Sequence, residues 1–163
     1  VPAAYAELLG PPSGEPKLTT PGAISAAALG LQAPANWGIE QDGLGGRTYA
    51  RNESASVRVS PLVNQGFLKD LSGGKAFPEA GDMPFGPTPP KGREGFTRYE
   101  AAKIGDGTPA MVAKQNDGKE ISYYALARHP KTAKVILFVG SYKVGAADKE
   151  KEVIEVMKSV TFR

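Results

Sequence analysis

Cysteine is absent from the chain, and histidine and tryptophan each occur once. Without cysteine the protein has no disulfide bond, no thiolate metal ligand and no thiol nucleophile. With one histidine, His129, a catalytic triad or a zinc site would have to use carboxylates for its other groups. The carboxylates form no convincing pair, because Asp42, Asp106 and Asp117 each precede a glycine, where Asp favours a turn. We therefore predict no metal site, no cofactor and no catalytic residue, and we expect that the protein is not an enzyme.

Long apolar runs and blocks of one charge are also missing. No stretch approaches the roughly 20 apolar residues that a membrane-spanning helix needs. The formal net charge is +3 at pH 7, and the lysines and arginines are interleaved with acids along the sequence. Nucleic-acid binding usually requires a clustered basic face. We therefore expect no nucleic-acid partner.

The sequence starts with Val1 rather than Met, and no charged segment followed by an apolar one precedes the domain. Either a leader was removed or the sequence was trimmed. A lipoprotein cleaved next to its acylated cysteine would have the same appearance. We expect an exported bacterial protein, periplasmic or extracellular, with a lipid anchor before Val1 as one form of membrane tether.

Glycine and proline are abundant, at 20 and 14 residues, and they indicate where one segment of the chain ends and the next begins. Residues 1–22 are rich in both and predict an extended N-terminal arm. Residues 23–163 predict a single domain, since a chain of this length can bury a core without cross-links. The glycine-rich residues 43–48, GLGGRT, lack the spacing of a phosphate-binding loop and predict a hairpin.

Alternation of apolar and polar residues predicts strands along most of the domain. A strand from residue 23 leads into a turn at residues 34–36, followed by Trp37, which we expect in the core or at the end of a sheet. The uniformly apolar run VILFV indicates a strand at the sheet centre. We expect His129 in a solvated turn. The further predicted strands are 47–52, 55–62, 96–104, 109–115, 120–128 and 134–144, with hairpin turns at 52–54 and at Asp117 and Gly118 and a turn at 129–132.

Helical spacing of apolar residues occurs twice, in a short segment at 63–74 and at 146–158. The second helix leads into a short terminal strand, whose Val160 and Phe162 we expect in the same layer. The predicted fold class is α+β, an antiparallel sheet of about six or seven strands with a C-terminal helix packed on one face. The helix face predicted to lie on the sheet carries Val153, Ile154 and Met157, and the other face carries Lys149, Glu152 and Glu155.

This order of elements resembles the PsbP-type fold, which photosystem II extrinsic proteins share with a Ran-binding nuclear import factor and with bacterial DcrB-type lipoproteins and secretion chaperones. The similarity covers residues 23–163. It rests on LQAPANW at 31–37, GTPA at 107–110, YYAL at 123–126 and residues 154–162. It implies a PsbP-like fold and a binding role, as in docking subunits, chaperones or envelope lipoproteins, without assigning any functional residue. The alanine-rich first strand and the proline-rich loop depart from the pattern, and a photosystem metal site has no counterpart.

Two regions are candidates for binding a protein partner. Segment 75–95 is rich in proline and carries apolar side chains on an otherwise polar chain, and such anchors lose little entropy on binding; the alternative is that they cover a sheet edge. The open sheet face would present arginines and tyrosines, which are enriched in interfaces, although strands often contain tyrosine. The candidate binding residues are Phe77, Met83 and Phe85 in the segment and Arg47, Tyr49 and Arg58 on the sheet, with Arg98, Tyr99, Tyr123, Tyr124 and Tyr142 as neighbours.

We therefore predict a non-enzymatic binding protein of the bacterial envelope that engages another protein through the open sheet face or the 75–95 segment. It would act as a docking subunit, an inhibitor or an immunity-type protein. The first alternative is a carrier of a small molecule or lipid, with a cavity between helix and sheet. The second is a hydrolase that uses carboxylates.

Overall fold

The computed structural model describes residues 20–24, 29–41, 48–51, 54–60, 100–105, 107–132 and 134–162. For residues 20–24, 39–41, 48–51, 60 and 100–102 the description covers the backbone alone. The described elements are strands β1 (Thr20–Ile24), β2 (Leu29–Ala33), β3 (Gly38–Gln41), β4 (Thr48–Arg51), β5 (Ala55–Ser60), β6 (Glu100–Ile104), β7 (Thr108–Asn116), β8 (Glu120–Arg128), β9 (Val135–Lys143) and β10 (Thr161–Phe162), a 3-10 turn at Ala147–Lys149 and helix α1 (Glu150–Lys158).

The strands form two antiparallel sheets. The large sheet has seven strands in the order β3-β4-β5-β9-β8-β7-β6, and the small sheet has three in the order β1-β2-β10. Strand β9 is the fourth of the seven, which confirms the prediction that VILFV lies at the sheet centre. The predicted α+β class and the C-terminal helix on the sheet are confirmed in the part of the chain that the structure describes.

The β7–β8 hairpin is closed by residues suited to its turn, as predicted. Gly118 has φ 87°, a conformation that glycine adopts without steric cost. Its N–H donates to Asn116 Oδ1 at 3.0 Å. The N–H groups of Glu120 and Lys119 donate to Asp117 Oδ1 at 2.7 and 2.8 Å. These hydrogen bonds stabilise the carboxylate and lower the pKa of Asp117.

Helix α1 packs on the large sheet through the residues that its periodicity indicated. Val153, Ile154 and Met157 are buried in the core, and the helix contacts β9 and β5 of the large sheet. At Gly140 in β9 an added Cβ atom would lie 2.6 Å from both Met157 Sδ and Val153 Cγ1. The helix therefore rests directly on the strand backbone at this point.

The small sheet contacts α1 on another side, and this corrects the prediction for Glu155. We expected Glu155 to face away from the core, but it is 4% exposed, and all of residues 153–157 are buried. The reason is that α1 contacts β2 as well as the large sheet. Strand β10 pairs with β2, placing Phe162 opposite Leu29 and confirming that Val160 and Phe162 are buried with the helix.

His129 is also placed differently from the prediction. The turn at 129–132 is present, but the histidine ring is fully buried rather than solvated. Its Nδ1 accepts hydrogen bonds from the N–H groups of Lys131 and Thr132 at 3.0 and 3.3 Å. The ring meets Phe162 edge-on, with centroids 5.1 Å apart. The histidine thus joins the turn to the core.

Two N-terminal strands differ from the prediction. The region from residue 23 to the turn at 34–36 is a hairpin of β1 and β2 rather than one strand, and β1 begins at Thr20, inside the predicted arm. Strand β3 was not predicted. β3 and β4 pair with each other and enclose the GLGGRT segment, as expected for a hairpin there. Residues 42–47 themselves lie outside the described residues.

Other predictions also fall outside the described residues: the remainder of the arm, the helix at 63–74 and the 75–95 segment. Among the described residues, no helix has both the length and the hydrophobicity to cross a membrane.

Candidate functional site

The large sheet has two faces with different environments. The face under α1 forms the main core and includes Val57, Tyr123 and Phe138. Because side chains alternate along a strand, the neighbouring residues lie on the opposite side, called here the second face. Its described central residues are Ser56 and Arg58 of β5, Leu137, Val139 and Ser141 of β9, Ser122, Tyr124 and Leu126 of β8, and Met111, Ala113 and Gln115 of β7.

One part of the second face is covered, which corrects the prediction of an open sheet face. Met111, Ala113 and Leu126 are 0% exposed, and Val139 is 4% exposed. Apolar residues with such low exposure are interior residues, not a contact surface for a partner. The accessible surface of this face is therefore smaller than the sequence indicated.

The other part of the second face is partly exposed and polar. Cross-strand pairing places Ser56 opposite Ser141, which lies opposite Ser122, and Gln115 follows on β7. The hydroxyls of Ser122 and Ser141 are 2.9 Å apart, and the Tyr124 hydroxyl donates to Gln115 Oε1 at 3.3 Å. Five half-buried residues make up this second-face patch: Ser56, Arg58, Gln115, Tyr124 and Ser141.

Arg58 has an unusual environment within the patch. It is half-buried, and its Nε atom is buried without a hydrogen-bond acceptor in the part of the chain that the structure describes. Its partner in register on β9 is the apolar Val139, and on β4 it is Tyr49. The Nε donor is therefore shielded from water without a described acceptor, although the side chain as a whole is half-buried.

Positive charge dominates the described residues of the second face. Strand positions assign five cations to it and two carboxylates, Glu40 and Glu120. Glu120 lies at the start of β8, opposite Lys143 and two strands from Arg58. The face is thus suited to a partner of negative charge. The five cations are Arg51, Arg58, Lys103, Arg128 and Lys143.

The predicted binding residues are brought together only in part. Arg58 lies on the second face, and Tyr49 is paired with it in register, although the Tyr49 side chain lies outside the description. Arg47, Phe77, Met83 and Phe85 lie outside the described residues.

The tyrosines divide between the two faces. Tyr124 joins the second-face patch, whereas Tyr123 and Tyr142 lie in the core under α1, at 1% and 2% exposure. Period-two alternation along β8 forces this separation of Tyr123 from Tyr124. The same alternation could have predicted that Ser56 lies on the second face, because it is two residues from Arg58 on the same strand. Gln115 and Ser141 required knowledge of the strand pairing.

Tyr123 and Tyr142 instead anchor the start of helix α1. Their hydroxyls donate to Glu150 Oε1 and Oε2 at 3.0 and 2.8 Å. Burial and the adjacent Glu150 carboxylate raise the pKa of Tyr142 well above 10.0, its ordinary value. Lys114 Nζ lies 5.5 Å from the centroid of the Tyr123 ring. Both oxygens of the carboxylate are engaged by phenols, so this cluster fixes the helix to β8 and β9.

Trp37 is a packing residue, as predicted. It follows the turn after β2, where its backbone N–H donates to the backbone carbonyl of Pro34 at 3.0 Å, and it is 3% exposed within the main core. Within the described ranges, no group of three or more His, Cys, Asp or Glu residues converges in the manner of a metal site.

Comparison with known proteins gives limited similarity. No protein-family model matches the chain, and no curated protein matches it. Among solved structures, one from Bacteroides thetaiotaomicron aligns over 85% of this chain with 19% identity and a TM-score of 0.48. The Saccharomyces cerevisiae Ran-binding protein Mog1p aligns over 87% with 10% identity and a TM-score of 0.45. The chain covers 94% of Mog1p but only 46%, about half, of the length of the Bacteroides chain. With TM-scores below 0.5, neither similarity carries a functional argument.

Proposed function

We propose that this chain is a non-enzymatic protein that binds another protein through the second-face patch. The observation that supports the proposal most directly is the position of Arg58 and Tyr124, both partly exposed on the sheet face opposite α1. Arginine and tyrosine are enriched at the energetic centres of protein interfaces. Because both residues lie on paired strands, the backbone that carries them is already ordered before binding.

We further propose that the chain is a PsbP-like protein of the bacterial envelope and that it acts as a docking subunit, an inhibitor or an immunity-type protein. The sequence motifs that resemble that group support the kinship. In this proposal the protein is periplasmic or extracellular, with a lipid anchor as its tether. Phe77, Met83 and Phe85 in segment 75–95 would add an apolar contact beside the polar second-face patch.

The packing of α1 supports a binding surface over a carrier cavity. At Gly140 the helix is so close to β9 that a single added carbon would contact Met157 and Val153. A lipid or small molecule therefore has no room between helix and sheet at this point.

Site-specific photocrosslinking tests the proposed function. Tyr124 is replaced by p-benzoylphenylalanine in cells that naturally produce the protein, and Lys151, which is exposed on α1, is replaced in the same way as a control. We expect a discrete adduct with one protein at position 124 and none at position 151. Arg58→Glu should lower the yield of that adduct at least about fivefold, as expected for a residue at an interface centre, whereas Lys151→Glu should leave it unchanged. Absence of an adduct at 124, or equal labelling at both positions, would contradict the proposal.

A further inference from the structure

We infer that the second-face patch recognises a carboxylate, carried by an extended acidic segment of the protein partner, with Arg58 as the principal donor. This inference rests on the proposed function and specifies the chemistry of the partner.

The buried Nε atom of Arg58 is the first reason. A polar atom that is removed from water without an acceptor is rare in native proteins, because leaving it unsatisfied costs free energy. No described residue accepts from it. The acceptor that best fits a guanidinium group is a carboxylate, which can take two parallel N–H···O bonds from the two terminal nitrogens.

The neighbours of Arg58 are the second reason. On β9 it faces Val139, and the adjacent row of the sheet consists of Ser56, Ser141 and Ser122. Of these groups, Ser56 and Ser141 are half-buried and offer hydroxyl groups to a partner, whereas Val139 and Ser122 are buried. By register, Glu40 of β3 lies in the same row as Arg58, with Tyr49 between them, and Glu120 at the start of β8 lies opposite Lys143.

The shape of the second-face patch favours an extended peptide. Ser56 and Arg58 are two residues apart on one strand, a separation of roughly 7 Å, which equals the repeat of same-side side chains in an extended segment. A partner strand lying over the patch can thus direct one carboxylate to Arg58 and its next same-side residue to the serine hydroxyls. The excess of cations on this face would also favour such an acidic segment over a neutral one.

NMR of the labelled full chain tests this inference. The probe is an acetylated and amidated decapeptide of alternating Glu and Thr, titrated at low ionic strength into 15N-labelled protein, and the readout is the Nε–Hε signal of Arg58, identified by its loss in Arg58→Lys. We expect a saturable shift of that signal with the Glu peptide and none with a peptide that has Gln in place of Glu. Unchanged backbone amide signals elsewhere in Arg58→Lys establish that this variant is folded.

Variants separate specific recognition from general charge attraction. Arg58→Lys keeps the charge but removes the guanidinium fork, and it should weaken binding about tenfold or more. Lys103→Gln removes an exposed charge from the same face and should change affinity less than about twofold. No shift at Arg58, or equal losses in the two variants, would overturn the inference.

The two proposals fail in different ways. If the adduct at position 124 forms and survives Arg58→Lys, the protein-binding function stands and the carboxylate inference is wrong. If the Glu peptide shifts Arg58 but no adduct forms at position 124, the carboxylate chemistry is supported and the protein partner is not.

Discussion

Gly140 lies in the central strand β9 beneath helix α1, and it has no side chain to separate the two. The Sδ atom of Met157 and the Cγ1 atom of Val153 occupy the space that a Cβ atom would need. Val153 is β-branched and has one favoured rotamer in a helix, so that it cannot move aside easily.

We predict that Gly140→Ala lowers the free energy of unfolding by about 1–3 kcal/mol, the usual cost of overpacking a core. Gly145→Ala is the matched control, because nothing lies within 4 Å of an added Cβ at Gly145; its effect should stay within about 0.5 kcal/mol. Urea denaturation followed by circular dichroism measures both changes. Equal stabilities of the two variants would contradict the close packing of α1 on β9.

At the scale of residues, the sequence predicted which side chains are apolar but not always which are buried. Val153 and Met157 were assigned correctly from helical spacing. Glu155 and His129 were not, because charge and a turn position usually indicate exposure. Their burial depends on β2 and β10, which are distant in the chain.

Among the elements, α1 is tied to the sheet at its first turn by the hydrogen bonds from Tyr123 and Tyr142 to Glu150. Tyr142 titrates at a higher pH in the folded protein than in the unfolded chain, because burial and Glu150 both oppose formation of the phenolate. The unfolded chain therefore releases this proton first as the pH rises. The contribution of Tyr142 to stability is fully present below about pH 10 and is lost progressively above it.

We predict that Tyr142→Phe lowers the free energy of unfolding at pH 7 by about 1.5–3 kcal/mol, the range for a hydrogen bond to a charged group. From about pH 10 to about pH 12 the wild type should progressively lose this advantage, so that the two stability curves approach each other. Urea midpoints measured across this range test the expectation. A difference that stays constant with pH would show that Tyr142 does not titrate with unfolding.

Most described elements could be predicted because their patterns are local. The strands from β7 to β9 alternate clearly, and Asp117 with Gly118 marks the hairpin between the first two. Strand β3, Gly38–Gln41, was missed because its four residues are too few to establish a period. The β1–β2 hairpin was read as one strand because small residues there give little contrast between faces.

Viewed as a whole molecule, the two sheets are joined through Phe162. This residue belongs to β10 of the small sheet, yet its ring meets His129 after β8 and Phe138 of β9, with centroids 5.1 and 6.3 Å apart. Both contacts are edge-on, an arrangement that aromatic pairs favour. The pairing of Phe162 with Leu29 connects residues that are far apart in the sequence, which explains why local patterns did not predict how α1 is covered.

A double-mutant cycle tests this connection. His129→Ala and Phe162→Ala should each destabilise the fold, and their combined effect should deviate from the sum by about 0.5–1.5 kcal/mol, since the rings are in contact. Tyr124→Ala with Phe162→Ala is the control pair, because Tyr124 lies on the second face; these effects should add to within about 0.5 kcal/mol. Additivity of the His129 and Phe162 effects, measured by urea denaturation, would mean that the sheets are not coupled there.

The enclosure of residues 153–157 also limits how this helix can change during evolution. These five successive residues are buried, so that only substitutions that preserve side-chain volume are tolerated there. Lys151, in contrast, is exposed to solvent and is free to vary. In natural homologues, substitutions should therefore be rare at residues 153–157 and frequent at the position of Lys151. The buried part of α1 should thus be among the segments of the sequence that change most slowly.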